Sequence, residues 1–230
     1  MKKHLVVIFT VFFLQSCEDN KGVYKPESSA RINSITVVVD NDNWNNKIGD
    51  KIRSLYADEY EGLPQIEERF TLKQMPYEAF SGFSRSSRNI IFINKTSNPE
   101  FFFDADKYAR PQIYLEVKGN SIKSLLDQID KSKKEAINKF TNGEIEENKR
   151  RILKSPLKDI SAMEDFLIDM KIPSVYSLYK QDKNFIWYQK QIQKGHSNII
   201  VTQLSSQKKI FDYNIPSLVK LRDSICKAFL

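Results

Sequence analysis

The side chains able to do chemistry in this chain are few. Its 230 residues hold two cysteines, Cys17 and Cys226, and two histidines, His4 and His196. A structural zinc site asks for four sulfur or imidazole ligands brought together. His4 and Cys17 stand in the first residues, so no metal centre and no cofactor are expected. Seven glycines are scattered along the chain without a phosphate-binding loop. His196 lies between Gly195 and Ser197 and is expected in an exposed turn. Cys226 lies near Leu221, Ile225 and Phe229, where a small buried apolar residue is expected. Carboxylates are plentiful, and cleavage of a glycan needs two of them about 5–9.5 Å apart. Glu67 and Glu68 are the obvious pair, but neighbours in sequence usually point apart, which favours a solvated loop.

Cys17 has a clearer chemistry. Lys2 and Lys3 precede a nearly unbroken apolar run from Leu5 to Leu14, followed by Gln15, Ser16 and Cys17. About ten apolar residues are half of what crosses a bilayer, so the run reads as a cleaved secretory signal. The order of charge, apolar core, small residue and cysteine resembles a bacterial lipobox. In that reading the bond between Ser16 and Cys17 is cut and the Cys17 thiol takes a lipid through a thioether. One acyl chain holds a protein only marginally, so stable anchoring requires several. Loss of Cys17 to lipid leaves Cys226 alone, and no internal disulfide is expected.

Other candidates are binding residues. The turn Gly62-Leu63-Pro64-Gln65 is rigid by composition, because Gly62 permits unusual backbone angles and Pro64 biases Leu63 toward extended geometry. Its structural reading is a corner pinned by Leu63 in the core; its functional reading is a recognition loop offering the Gln65 amide. Arg88, ahead of a strand, either binds an anion or pairs with a nearby acid, and the pair is favoured. Trp44, Trp187 and Tyr188 can stack on sugars, although aromatics at such spacing more often pack the core. The stretch from Lys131 to Arg151 alternates charges three and four apart; a solvated helix face is favoured over the alternative, a membrane-binding patch. The formal charge is +7, of which Lys2 and Lys3 supply two, too modest and scattered for nucleic acid.

The elements that must position these residues follow from hydrophobic period and turn chemistry. Residues 1–16 read as signal and residues 17–33 as a flexible tether. Residues 34–230 read as one α+β domain, mainly an antiparallel sheet with helices packed against it. "SITVVVD" is the first strand. Trp44, Ile48, Ile52 and Leu55 share a helix face, with Asp42 or Asn43 as its cap. Gly62, Pro64 and Pro76 deny long elements to the next stretch. "NIIFINK" and "PQIYLEVKG" are strands; Asn120 or Ser121 caps a helix reaching about Phe140, and residues 143–154 form another helical stretch. A further helix is expected to start around Pro156. "SVYSLYK", "NFIWYQKQ" and "NIIVTQL" form an antiparallel meander, and "IPSLVKLRDSICKAFL" a closing helix.

In order, "VVVDNDNWNNKIGDKIRSLYA", "EGLPQIEERFTLKQM", "SRNIIFI" and "IPSVYSLYKQDKNFIWYQKQ" resemble a Bacteroidota lipoprotein family known as domain of unknown function 4837. The resemblance runs from about Ser34 to the carboxyl end. It departs after Gln65, where Ile66-Glu67-Glu68-Arg69 replaces a proline-rich acidic stretch. Family members usually continue beyond "LRDSICKAFL", which leaves room for a reduced member. Glu18 and Asp19, directly after Cys17, resemble the signal that sends lipoproteins of that phylum to the cell surface. The resemblance implies an outer-membrane lipoprotein but no assigned activity. The expectation is a non-enzymatic component that binds an envelope protein or glycan; the alternative is a carboxylate-dependent hydrolase of peptidoglycan or surface glycan.

Overall fold

The computed structural model of the chain describes residues 24–193, 195–204 and 214–229. Ser16, Cys17, Glu18 and Asp19 lie outside the described residues. Among the described residues no helix is long and apolar enough to cross a membrane.

The β-branched run opens the fold as β1 (Ser34–Val38), buried along its whole length. Such residues suit a strand packed on both faces. β1 lies between β2 (Thr71–Met75) and β3 (Asn89–Lys95) and runs parallel to both. β3 runs parallel to β5 (Ile113–Gly119), and β4 (Glu100–Ala105) closes that edge as the antiparallel partner of β5. The order is β2-β1-β3-β5-β4. The chain does combine helices and sheets, but the larger sheet is mostly parallel rather than antiparallel. The cause is the connection between β1 and β2. A helical crossover returns the chain to the same end of the sheet, and a parallel neighbour is what such a crossover produces.

That crossover holds α1 (Asn41–Trp44) and α2 (Lys47–Tyr56). The cap of α1 is Asp40, which accepts from the Asn43 amide at 2.8 Å, and the cap position of α2 is Asn46. Neither Asp42 nor Asn43 caps, because the strand ends one residue sooner than the apolar run suggests. Gly49 is forced by proximity: a Cβ there would lie 1.8 Å from the Trp44 carbonyl oxygen.

β5 leads into α3 (Ile122–Lys154), one continuous helix of 33 residues. Ser121 and Ser124 form a reciprocal cap at its start. Where two helical stretches were expected, the charged second half simply continues the first. α2 and α3 cover one face of the sheet, where Ile48, Ile52, Leu125, Ile129 and Phe140 pack on Ile35, Val37, Ile91 and Leu115. On the opposite face Tyr77, in the first of two 3-10 turns between β2 and β3, and Phe80, which ends that turn, pack with Val38, Ile90, Phe92 and Tyr114.

The second sheet is the expected meander, β6 (Ser177–Asp182), β7 (Phe185–Ile192) and β8 (Gly195–Thr202), antiparallel throughout. A separate core joins Ile186 and Tyr188 to Ala162, Met163 and Ile172. The helix expected around Pro156 is reduced to α4 (Ser161–Glu164). Pro156 instead bridges Pro173, and Leu167 adopts a φ of 55° that stops helical continuation. α5 (Ile215–Phe229) closes the described chain.

Candidate functional site

Parallel strands gather their carboxyl ends along one edge, and in this sheet the strand order reverses between β1 and β3. In open α/β sheets, ligands bind outside that edge at that reversal. On the same carboxyl edge, between the helices that follow β1 and β5, lies an open cleft of about 690 Å³ lined by Asp42, Asn43, Asn46, Lys47, Ile122, Lys123 and Leu126. One wall is the start of α1 and α2; the other is the first turn of α3.

Each wall is fixed by short-range bonds. Asp40 holds Asn43 through both the backbone amide and the side-chain amide. Asn46 donates to the Asp42 carbonyl at 2.7 Å, and Gln74 donates to the Val39 carbonyl and to Asn41 Oδ1. The Lys51–Asp130 ion pair, at 2.7 Å, joins α2 to α3. Burial alone would raise the Asp40 carboxyl. Hydrogen bonds from Asn43 and the charge of Lys95, 3.9 Å away, outweigh that and hold it below the ordinary value. Asp40 is thus an ionised brace behind the cleft rather than a proton donor. The cleft offers carboxamides from Asn43 and Asn46, two ammonium groups from Lys47 and Lys123, and an apolar patch from Ile122 and Leu126. Asp42 is the one carboxylate among its lining residues. This donor set suits recognition of a polar ligand with an apolar portion.

None of these residues stood out in sequence except as helix caps. The available signal was the Val-Val-Val-Asp junction. A buried strand ending in a capping acid before a helix marks the carboxyl edge of a parallel sheet once the next strand is known to be parallel.

The sequence candidates are dispersed. Gly62 has a φ of 85°, and its turn is held from outside: Arg222 of α5 donates to the Gly62 carbonyl, and Ile215 and Val219 pack against Gly62. Leu63 is 44% exposed and does not pin the corner in the core. Pro64, Gln65, Glu67 and Glu68 are exposed, with Glu68 bridged to Glu59. A hollow of about 280 Å³ opens beside this contact, lined by residues of the turn and of α5, with Leu63 but not Gln65 on its wall. Trp44 is stacked under Arg53 at 4.6 Å, whereas Trp187 and Tyr188 are buried in β7, so the three form no shared platform. His196 is exposed but stands on β8 opposite Gln191, not in a turn. Cys226 is half-buried, beside Ile225 and Ile200. Among the described residues no cluster of three metal-ligating side chains occurs.

Arg88 takes the paired role. It is 1% exposed and forks onto Glu144, with Nε donating to Oε1 at 2.8 Å and Nη2 to Oε2 at 3.0 Å. Asn89 and the Asn33 backbone amide donate to the same carboxylate. Glu147 lies 3.7 Å from Arg88 Nη1 and accepts from Arg150 and Arg151. Those arginines hold Glu147 down at about 2 against the opposing effect of burial. Glu144 and Glu147 were expected on a solvated face. They are buried because the second half of α3 lies over the amino-terminal ends of the strands, where the arginines satisfy them. Lys139–Glu135 and Lys149–Glu146 do remain exposed pairs.

Two families match the chain. Residues 28–153 match the one described as Domain of unknown function (DUF8532), and residues 154–230 the one described as Domain of unknown function (DUF4837). No curated protein and no solved structure matches. The boundary falls at the last residues of α3, between the two sheets and their separate cores. The segment "IPSVYSLYKQDKNFIWYQKQ" lies in the DUF4837 part, as its resemblance implied. The motifs "VVVDNDNW", "GLPQ" and "SRNIIFI" lie in the other part.

Proposed function

We propose, for a chain that belongs to the family described as Domain of unknown function (DUF8532), a lipoprotein of the outer membrane that binds an envelope protein or glycan without transforming it. Acyl chains on Cys17 hold it to the bilayer. The sequence order Lys2-Lys3, Leu5 to Leu14, Ser16 and Cys17 supports the anchor. The observation that carries the binding role is the cleft at the carboxyl edge of the large sheet. Its walls supply amides, ammonium groups and apolar surface, with Asp42 as a lone acid. A glycosidase of the ordinary kind needs a second carboxyl facing the first, and Glu67 and Glu68 are not among the residues of that cleft.

The test uses the purified lipoprotein with soluble peptidoglycan fragments and surface glycan, reading heat of binding and products by mass spectrometry. Saturable binding without new products is expected. Lys123→Glu removes a charged donor worth about 1.5–3 kcal/mol and should weaken binding about tenfold or more, with thermal stability unchanged. Release of cleaved fragments overturns the binding reading. In fractionated cells producing the protein, Cys17→Ser should move it out of the membrane fraction.

A further inference from the structure

We infer that the face around the amino-terminal segment docks on an anionic phospholipid bilayer, with the cleft turned away from it. The inference rests on Cys17 carrying the lipid. The three central strands β1, β3 and β5 run in one direction. Their carboxyl ends reach the cleft, and their amino ends meet residues 26–33. Ser29 bridges Ser87 beside the start of β3; ahead of β5 the Arg110 amide donates to the Pro26 carbonyl and the Ser28 amide to the Arg110 carbonyl. The lipidated position would therefore join the globule at the end opposite the cleft. Six residues separate Cys17 from Tyr24, seven steps along the chain with a reach of about 25 Å at most, so the bilayer lies close to this face.

The chemistry of the face fits that neighbour. Arg150 and Lys154 approach Glu27 at 2.8 and 3.7 Å, and Arg151 donates to the Ala30 carbonyl. Arg110 and Lys25 flank Asp106. The five cations Lys25, Arg110, Arg150, Arg151 and Lys154 therefore outnumber the exposed Glu27, the half-buried Asp106 and the buried Glu147 that accepts from Arg150 and Arg151, and Arg110 and Lys154 have side chains 74% and 61% exposed. Apolar groups stand among them: Tyr24, Phe83 and Leu153 are all largely exposed. Phe83 belongs to the same face, because its carbonyl accepts from Ser86, which itself bonds Ser29. Basic side chains with interspersed aromatic and aliphatic groups are what a headgroup region accepts.

The test places the acylated protein carrying Phe83→Trp on vesicles of brominated phosphatidylglycerol. Quenching of the added indole, relative to the parent with its native tryptophans, is expected. It should vanish in Arg110→Glu/Lys154→Glu. An unquenched indole on membrane-bound protein, or quenching indifferent to the charge reversal, overturns the proposal. Failure of the anchor reads differently, as a mature mass without acyl groups. The unacylated Cys17→Ser chain then tests the face alone by co-sedimentation with phosphatidylglycerol vesicles at low salt. Each lost cation changes partitioning about fivefold, so the double reversal should lower it at least about 25-fold. No sedimentation of the unreversed chain, or none of that dependence, overturns the face.

Discussion

Glu144→Ala is the most informative perturbation of the fold. It removes a carboxylate that takes two bonds from Arg88, one from Asn89 and one from the Asn33 amide, in a site where both ionic side chains are 2% exposed. The guanidinium left behind retains Glu147 at 3.7 Å and the Arg31 carbonyl at 3.0 Å, too little to replace a forked carboxylate. Removing one partner of a buried ion pair costs about 3–5 kcal/mol, mostly from the stranded charge. For a domain of this size each kcal/mol shifts the melting temperature about 2–4 °C, which gives a fall of about 6–20 °C. The assay is thermal and urea unfolding of Glu144→Ala, Arg88→Ala and the double variant. The double should cost far less than the two singles together, since it strands no charge. A Glu144→Ala fall below about 2 °C, or strict additivity, would refute the buried pairing of Arg88 with Glu144 and imply that water reaches these groups.

Two further outcomes are expected. The folded Glu147 carboxyl titrates at about 2, below its value in the unfolded chain. Its stabilisation is therefore complete at neutral pH and is lost as pH falls from the usual carboxylate range toward 2. Urea midpoints measured down that range should fall, and Glu147→Gln should flatten the dependence; equal slopes in both proteins would contradict the assignment. Gly49→Ala should lower the melting temperature even though alanine favours a helix by about 1 kcal/mol, because the new methyl meets the Trp44 carbonyl oxygen. An unchanged or higher melting temperature would show that α1 can move away.

Local pattern alone determined much of this chain. Burial of β-branched runs makes β1 and β3 strands wherever they pair, and the Ser121 cap with apolar residues at helical spacing starts α3. Short turns between alternating segments force the β6-β7-β8 meander, because tight connections reverse the chain. Pairing across distance was a tertiary decision. β2 is a short, partly exposed strand in a segment broken by Gly62 and Pro64, and it becomes a strand only by pairing with β1. Its parallel direction sets where the carboxyl edge lies, and hence the cleft with Asp42, Asn43 and Lys123. The same holds for Glu144 and Glu147. Their helical spacing is that of a solvated face, and only docking of α3 over Arg88 and the amino-terminal segment buries them. Sequence fixes which groups lie near one another along an element, whereas burial depends on which element arrives to cover them.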